Sequence, residues 1–229
     1  EDEVGGAVFW MNPDNAPDNN IVLAQFTLPK SRQGVSQFKG GLQGRSINGN
    51  DWQDTFSIDM PPPDQSFVGT VPTIQPTTIQ PTPTLAPTQV EQQLLTNGSG
   101  TLDVVKLSNS IPDHETFQIV FNPIGNSRNV YALFGGGVTR QEFKCPAAFQ
   151  STSIFAKNIG GINQNMYPIE PELEYDSWLS IGLTQGIVDG ELSSIGMDLE
   201  SWTENSEFHI PPEDEVGGAV FWMNPDNAP

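Results

Sequence analysis

The chain has 229 residues, of which 28 are acidic and 9 are basic, for a net charge of −19. A surface this acidic repels phosphates, so nucleic acid is not expected as a partner. The longest apolar runs, such as residues 7–11, are far too short to span a bilayer, so no membrane span is expected in this segment. No positively charged start followed by an apolar stretch is present, and we expect the segment to be internal to a longer chain.

The chain opens on a segment that occurs twice. Residues 1–17, EDEVGGAVFWMNPDNAP, recur without change at 213–229. The match indicates a 212-residue unit followed by the start of the next copy, as in a tandem array; the alternative is reuse of one segment. Four of the 28 acidic residues lie in the second copy, which leaves 24 acidic and 9 basic residues and a net charge of −15 per unit.

Residues 12–20, NPDNAPDNN, concentrate side-chain oxygens in one stretch. Oxygen ligands suit Ca²⁺, so Asp14 and Asp18 are candidate calcium ligands. The segment lacks the spaced pattern of an EF-hand loop, and Asn, Asp and Pro are also ordinary turn residues. Calcium is therefore the one cofactor considered, and no other is expected.

Residues 61–96 differ in composition from the rest of the chain and are predicted to be a Pro/Thr-rich extended linker. Residues 61–93 hold 8 of the 20 prolines and only Asp64 and Glu91 as charges. Proline fixes φ and removes a hydrogen-bond donor, which favours polyproline II over a sheet interior. The composition is similar to O-glycosylated stalks, and Asn97-Gly98-Ser99 is an N-glycosylation sequon. The candidate glycosylation sites are Asn97, Thr73, Thr77, Thr78, Thr82, Thr84 and Thr88.

The linker and the repeat together predict the domain organisation. Residues 97–212 form the first part of a β-sandwich, and residues 1–60 form its second part. Residues 213–229 begin the next repeat. The sequence leaves open whether residues 1–60 pack on the 97–212 block of the same copy or of a neighbouring copy.

Short runs rich in Val, Ile, Phe and Thr between turn residues predict about ten β-strands and an all-β sandwich or jelly roll. Only residues 90–95 could form a turn of helix. In residues 116–122 the side chains of Phe117, Ile119 and Phe121 alternate with polar ones, which predicts one buried face. The predicted strands are 7–11, 21–28, 102–108, 116–122, 129–135, 138–144, 151–156, 177–183 and 193–199.

Few residues are suited to metal or nucleophilic chemistry. His114 and His209 are the only histidines, lie in no catalytic motif and are expected at the surface or in loops. Cys145 is the single cysteine, for which the sequence leaves open a buried, a free or a subunit-bridging state, and its apolar neighbours favour burial. The large rings of the tryptophans are expected to fill the core, namely Trp10, Trp52, Trp178 and Trp202.

Glu172, Glu174 and Asp176 alternate along the chain, so on a strand they would share one face. Paired carboxyls suit glycoside hydrolysis, and the segment looks a little like the E-x-D-x-x-E strand of laminarinase-type glucanases. The order of acids differs, however, and no second Glu follows. We therefore interpret the segment as a solvated acidic edge and expect no enzymatic activity.

Three stretches, VFWMNPDNAPDNNIVLAQFTLP, LQGRSINGNDW and YDSWLSIGL followed by SSIGMDLESW, resemble uncharacterised secreted proteins of microalgae with tandem repeats and Pro/Thr-rich spacers. The resemblance implies an extracellular, glycosylated, fibril- or matrix-forming protein. It brings no catalytic residues.

These observations favour a structural subunit of an extracellular filament, whose partners are copies of itself. An exposed sheet edge accepts an extended segment through backbone hydrogen bonds, so units could join by strand donation or by docking of the linker. Residues 7–11 and 21–28 are the strands expected to cross between units. The alternative is a carbohydrate-binding or adhesive module in which exposed tryptophans stack on sugars, assisted by calcium.

Overall fold

The computed structural model of the protein describes residues 20–63, 88–186 and 192–222. These residues form twelve β-strands and five short 3-10 helices. The strands are β1 (Ile21–Pro29), β2 (Gln37–Ser46), β3 (Asp51–Asp59), β4 (Thr88–Leu94), β5 (Gly100–Leu107), β6 (His114–Pro123), β7 (Ser127–Gly135), β8 (Phe143–Cys145), β9 (Trp178–Leu179), β10 (Leu192–Ile195), β11 (Phe208–Ile210) and β12 (Gly218–Trp222). The 3-10 helices are Lys30–Arg32, Gly137–Thr139, Gln164–Met166, Pro171–Tyr175 and Leu199–Ser201.

The strands make two antiparallel sheets, and the predicted all-β sandwich is confirmed. The first sheet has the order β4-β5-β6-β1-β9. The second sheet has the order β10-β12-β7-β2-β8-β11, with β3 also paired to β2. Every strand pair is antiparallel, so each sheet can bury one face and expose the other.

Side-chain alternation determines which face of each strand enters the core. In β6, Phe117, Ile119 and Phe121 are fully buried, as their spacing predicts. The two sheets meet through aromatic pairs, such as Phe26 of β1 and Phe38 of β2, whose ring centroids lie 5.0 Å apart in an edge-on arrangement. One continuous core joins residues of both sheets.

β1 is buried on both faces, which explains its almost uninterrupted apolar sequence. Its inner face joins the main core. Its outer face is covered by the segment that precedes and includes β9, where Ile162, Leu173 and Trp178 form a second small core against Val22.

Residues 20–60 and 97–212 share the main core in this chain. β1 pairs with β6 and β9, and β2 pairs with β7 and β8. β3 ends and β4 begins at the same end of the sandwich, because Asp59 is paired with Gln37 and Thr88 with Lys106. The connection between the two blocks therefore has only a short distance to bridge.

Several predicted elements differ from the structure. Residues 88–94, inside the predicted linker 61–96, form strand β4, which includes most of the segment expected to make a helical turn. This stretch follows the last proline of the run, so its N–H groups can pair with β5. Residues 64–87 lie outside the described residues.

Residues 151–156 are predicted as a strand but form bends and turns. Residues 177–183 pair only at Trp178–Leu179, and residues 138–144 begin with a 3-10 turn before β8. Local composition favours strands here, but the backbone donors of residues 151 and 157 bond instead to a buried carboxylate described below.

Candidate functional site

Residues 218–222, which belong to the second copy of the repeated segment, form a strand inside the sandwich. β12 pairs with β7 on one side, where Phe221 lies opposite Ala132, and with β10 on the other, where Trp222 lies opposite Leu192. It is therefore an interior strand of the second sheet. The start of the predicted next repeat completes the sheet formed by the preceding residues.

The side chains of β12 are part of the main core. Val220 is fully buried and Trp222 is 2% exposed, while Ala219 and Phe221 are also buried. Full burial of one such side chain contributes about 1.5–3 kcal/mol. Loss of this strand would uncover β7 and part of the core.

A tight turn directs the chain into β12. Gly217 has φ +69°, and a Cβ on it would lie 2.6 Å from the carbonyl oxygen of Gly135. Glycine is the residue that fits both the positive φ and the close approach. Asp214 fixes the turn: its carboxylate Oδ1 accepts the N–H groups of Val216 (2.9 Å) and Gly217 (2.8 Å), and its backbone carbonyl accepts the N–H of Gly137 (2.8 Å).

All residues used by this strand are present in the first copy of the segment. Asp2, Gly5 and Gly6 correspond to Asp214, Gly217 and Gly218, and residues 7–10 correspond to 219–222. Residues 1–19 lie outside the described residues, and so do the predicted strand 7–11, Trp10 and the candidate calcium ligands Asp14 and Asp18.

The three carboxylates of residues 172–176 do not share the face of a strand, and that prediction is wrong. Residues 171–175 form a 3-10 helix, started by Pro171, which fixes φ for a helical turn. Glu172 and Glu174 are exposed, whereas Asp176 is fully buried. The segment is therefore not a uniform acidic edge.

Asp176 fastens the loop over the outer face of the first sheet. Its Oδ1 accepts the backbone N–H of Ser151 at 2.8 Å, and its Oδ2 accepts that of Lys157 at 3.3 Å. Burial raises the pKa of Asp176 to about 6, although backbone hydrogen bonds act in the opposite direction. The negative charge of Glu172 also raises this pKa, and the Glu172 carboxylate accepts a hydrogen bond from the Ser151 hydroxyl at 3.0 Å. The carboxylate is used by the fold, in which it anchors residues 151–157.

The two histidines contact other groups. His209 is exposed, with Nε2 3.1 Å from Glu142 Oε1. His114 is mostly covered, against the expectation of a surface position, because it packs beside the ring of Phe149 and Nδ1 lies 2.8 Å from the Pro112 carbonyl oxygen. Cys145 is fully buried, as expected, and burial raises the pKa of its thiol.

None of the four tryptophans in the described residues is exposed. Trp178, Trp202 and Trp222 are each 2% exposed. Trp202 also donates from Nε1 to the Pro146 carbonyl oxygen at 2.7 Å. Trp52 is half-buried, with its ring centroid 5.7 Å from that of Phe121. Three of these rings are buried in the core, and Trp52 packs against it with part of its surface exposed.

The sequon lies in the turn between β4 and β5. The Asn97 side chain is exposed, and Nδ2 donates to the Gln53 carbonyl oxygen at 3.2 Å. Ser99 is buried, with its hydroxyl bonded to Asp54. The structure describes the backbone of Thr88 in β4, whereas the other candidate threonines (Thr73, Thr77, Thr78, Thr82 and Thr84) lie outside the described residues.

Sequence reasoning missed the buried polar groups, of which Asp54 and Asn129 are two. Asp54 is 1% exposed and bonds to the β4–β5 turn, and Asn129 of β7 accepts the N–H of Arg45. Each acts across more than 40 residues of sequence, so no local pattern indicates it. In the part of the chain that the structure describes, no group of three His, Cys, Asp or Glu side chains could hold a metal ion.

Over the same residues, no helix is long and apolar enough to cross a membrane. Comparison of the chain with protein-family models, curated proteins and solved structures finds no match.

Proposed function

We propose that the chain is a structural, non-enzymatic subunit of an extracellular filament built from 212-residue repeats. The observation that carries the proposal is the position of the repeated segment. Residues 218–222 form an interior strand of this sandwich, and in a tandem series the same segment would lead directly into β1 of the next unit. A segment that is held in the sheet of one unit and connected to the first strand of the next would join the two units as a donated strand does.

Such a joint would hold consecutive units close together. In a series, ten residues equivalent to 11–20 separate Trp222 of one sandwich from β1 of the next. The eleven Cα–Cα steps between these residues span at most about 40 Å, which is about the width of one sandwich of this size. Neighbouring units would therefore stay within about one sandwich width of each other, and a head-to-tail contact between them that does not close on itself would generate a rod or a helix.

The charge and the sequon are compatible with this role. A net charge of −15 per unit would make the filament anionic and would keep parallel filaments apart in solution. The exposed Asn97 amide can carry a glycan and still donate its remaining N–H to Gln53. An extracellular location and O-linked glycans on the Pro/Thr-rich segment belong to the same proposal.

The alternative of a sugar-binding module receives less support. Its mechanism requires exposed tryptophan rings, and each tryptophan in the described residues is buried or half-buried. We therefore retain the structural role as the one proposed.

A chain of two consecutive units tests the proposal. It should appear by electron microscopy as two sandwiches in fixed contact, and longer series should form rods. The matched control carries Gly217→Val in the segment between the two units, which should separate them. Freely tumbling, independently oriented units in the unmodified chain would contradict the proposal.

A further inference from the structure

The β12 position has two possible occupants in one chain. We infer that residues 1–10 are an interchangeable second strand for this position, so that the chain has two identical strands for one place in its sheet. The inference deepens the strand joint proposed above and rests on it. It names the segment that competes with residues 213–222.

The first step concerns chemistry. Three features determine which sequence fits the β12 position. They are the Asp214 turn, the close approach of Gly217 to Gly135 and the burial of residues 219–222. Residues 1–10 reproduce each of these features without a substitution. Once in place, the two strands would make the same backbone ladder and the same core contacts, so only their connections differ.

The second step concerns direction. β7 runs away from the turn that joins it to β6. Because β12 is antiparallel to β7, the chain of β12 runs toward that turn and ends at Trp222. Ile21 lies at the same end, because it is paired with Phe121 near the end of β6. A strand in the β12 position therefore leaves it at the end where β1 begins.

The third step concerns reach. β12 is two strands away from β2 in the second sheet, and β1 packs on β2 through Phe26 and Phe38. With strands about 4.8 Å and sheets about 10 Å apart, β12 and β1 are separated by about 14 Å. The eleven Cα–Cα steps from Trp10 to Ile21 span up to about 40 Å. The first copy can reach the position within its own chain.

The two closures have similar connections. The observed strand arrives through residues 211–217 after β11, and the competing strand would depart through residues 11–20 into β1. The entropic cost of closing a loop grows slowly with its length, so neither connection strongly favours one strand. In a series, a unit closed by its own upstream copy releases the strand of the next unit. The occupant of the β12 position therefore decides whether neighbouring units are joined.

Identical substitutions in the two copies give a matched test. The side chain introduced by Gly217→Val would clash with the Gly135 carbonyl oxygen, and the positive φ of residue 217 disfavours valine. Gly217→Val therefore excludes the observed strand, and Gly5→Val excludes the competing one. Each single variant should melt within about 3 °C of the unmodified chain, whereas the double variant should melt at least about 10 °C lower. A single Gly217→Val variant that melts as low as the double variant would overturn the inference.

Thiol protection identifies the strand that fills the position. Val8→Cys and Val220→Cys place a thiol at equivalent sites of the two copies, and Val220 is fully buried. In the Gly217→Val background, position 8 should become protected from a thiol reagent and position 220 should become reactive. Reactivity at position 8 in a folded Gly217→Val chain would refute the inference.

The molar mass of the same variant shows the origin of the strand. A monomer means that the chain uses its own first copy, and a dimer means that it uses the copy of another chain; both outcomes support interchangeability. If Gly217→Val unfolds while two-unit chains still form rods, the inference fails and the proposed filament stands. If the two strands exchange but no rods form, the inference stands and the proposed filament fails.

Discussion

The Ser99 hydroxyl donates a hydrogen bond of 2.7 Å to the buried carboxylate of Asp54. Asp54 belongs to β3, before the Pro/Thr-rich segment, and Ser99 belongs to the turn that leads into β5, after it. The same carboxylate accepts the backbone N–H groups of Asn97 and Ser99. The bond therefore fastens the two blocks of the chain at the edge where the sheets meet.

Replacement of Asp54 by alanine should strongly destabilise the sandwich. It would leave the N–H groups of Asn97 and Ser99 without their acceptor in a covered site, which we expect to lower the free energy of unfolding by about 3 kcal/mol. Ser99→Ala removes only the hydroxyl and should cost about 1 kcal/mol. Urea unfolding of both variants measures the difference, and equal losses would show that the backbone bonds to Asp54 contribute nothing.

Expression in a eukaryotic secretory host should add an N-linked glycan at Asn97, because its side chain is exposed in a turn. Asn97→Gln should remove the added mass and leave the melting temperature nearly unchanged, since Asn97 Nδ2 makes a single exposed bond to Gln53. Ser99→Thr keeps both the sequon and a hydroxyl and serves as the glycosylated control. Identical masses for the Gln variant and the unmodified chain would contradict the prediction.

Cys145 should resist thiol reagents in the folded chain. Its side chain is fully buried at the end of β8, which lies between β2 and β11. Burial raises the pKa of the thiol and so lowers the fraction of reactive thiolate. Reaction should be roughly a thousandfold slower than in urea, because it requires opening of the core. Ile154→Cys is the matched control, since residue 154 is 86% exposed and a thiol there should react at once.

The sequence predicts the strands whose burial is determined by their own pattern, and it fails where a distant group determines the conformation. β1, β5, β6 and β7 follow from apolar runs and alternation at 21–28, 102–108, 116–122 and 129–135. Residues 151–156 have strand composition, yet Asp176, about twenty residues away, binds the N–H groups on both sides of that segment. No local propensity contains that information.

The candidate site shows the same division. The repeat is visible in the sequence because residues 1–17 and 213–229 are identical. Its place between β7 and β10 is not visible, because Phe221 lies opposite Ala132 and nothing near either residue specifies that pairing. The repeat indicates which segment matters, and only the fold indicates that the segment is an interior strand.

The stability of the sandwich should depend on pH through Asp176. Burial raises the pKa of Asp176 in the folded state to about 6, above its ordinary value of 3.8. Between these two values the folded chain binds more protons than the unfolded chain, so this group stabilises the fold increasingly as the pH falls from about 7 toward 4. Each unit of difference between the folded and unfolded pKa corresponds to about 1.4 kcal/mol, so Asp176 changes the free energy of unfolding by about 3 kcal/mol over that pH range.

Asp176→Asn should remove this dependence. The amide cannot ionise, so the difference in unfolding free energy between the unmodified chain and the variant should grow by about 3 kcal/mol in favour of the unmodified chain from pH 7 to pH 4. Glu174→Gln is the matched control: Glu174 is exposed on the neighbouring 3-10 helix, and its removal should leave the shape of the pH profile nearly unchanged. Urea unfolding at intervals of half a pH unit measures all three chains. Parallel profiles for the unmodified chain and Asp176→Asn would mean that Asp176 ionises in the folded protein as it does in water, and that the clamp on residues 151–157 holds without any cost of burying its charge.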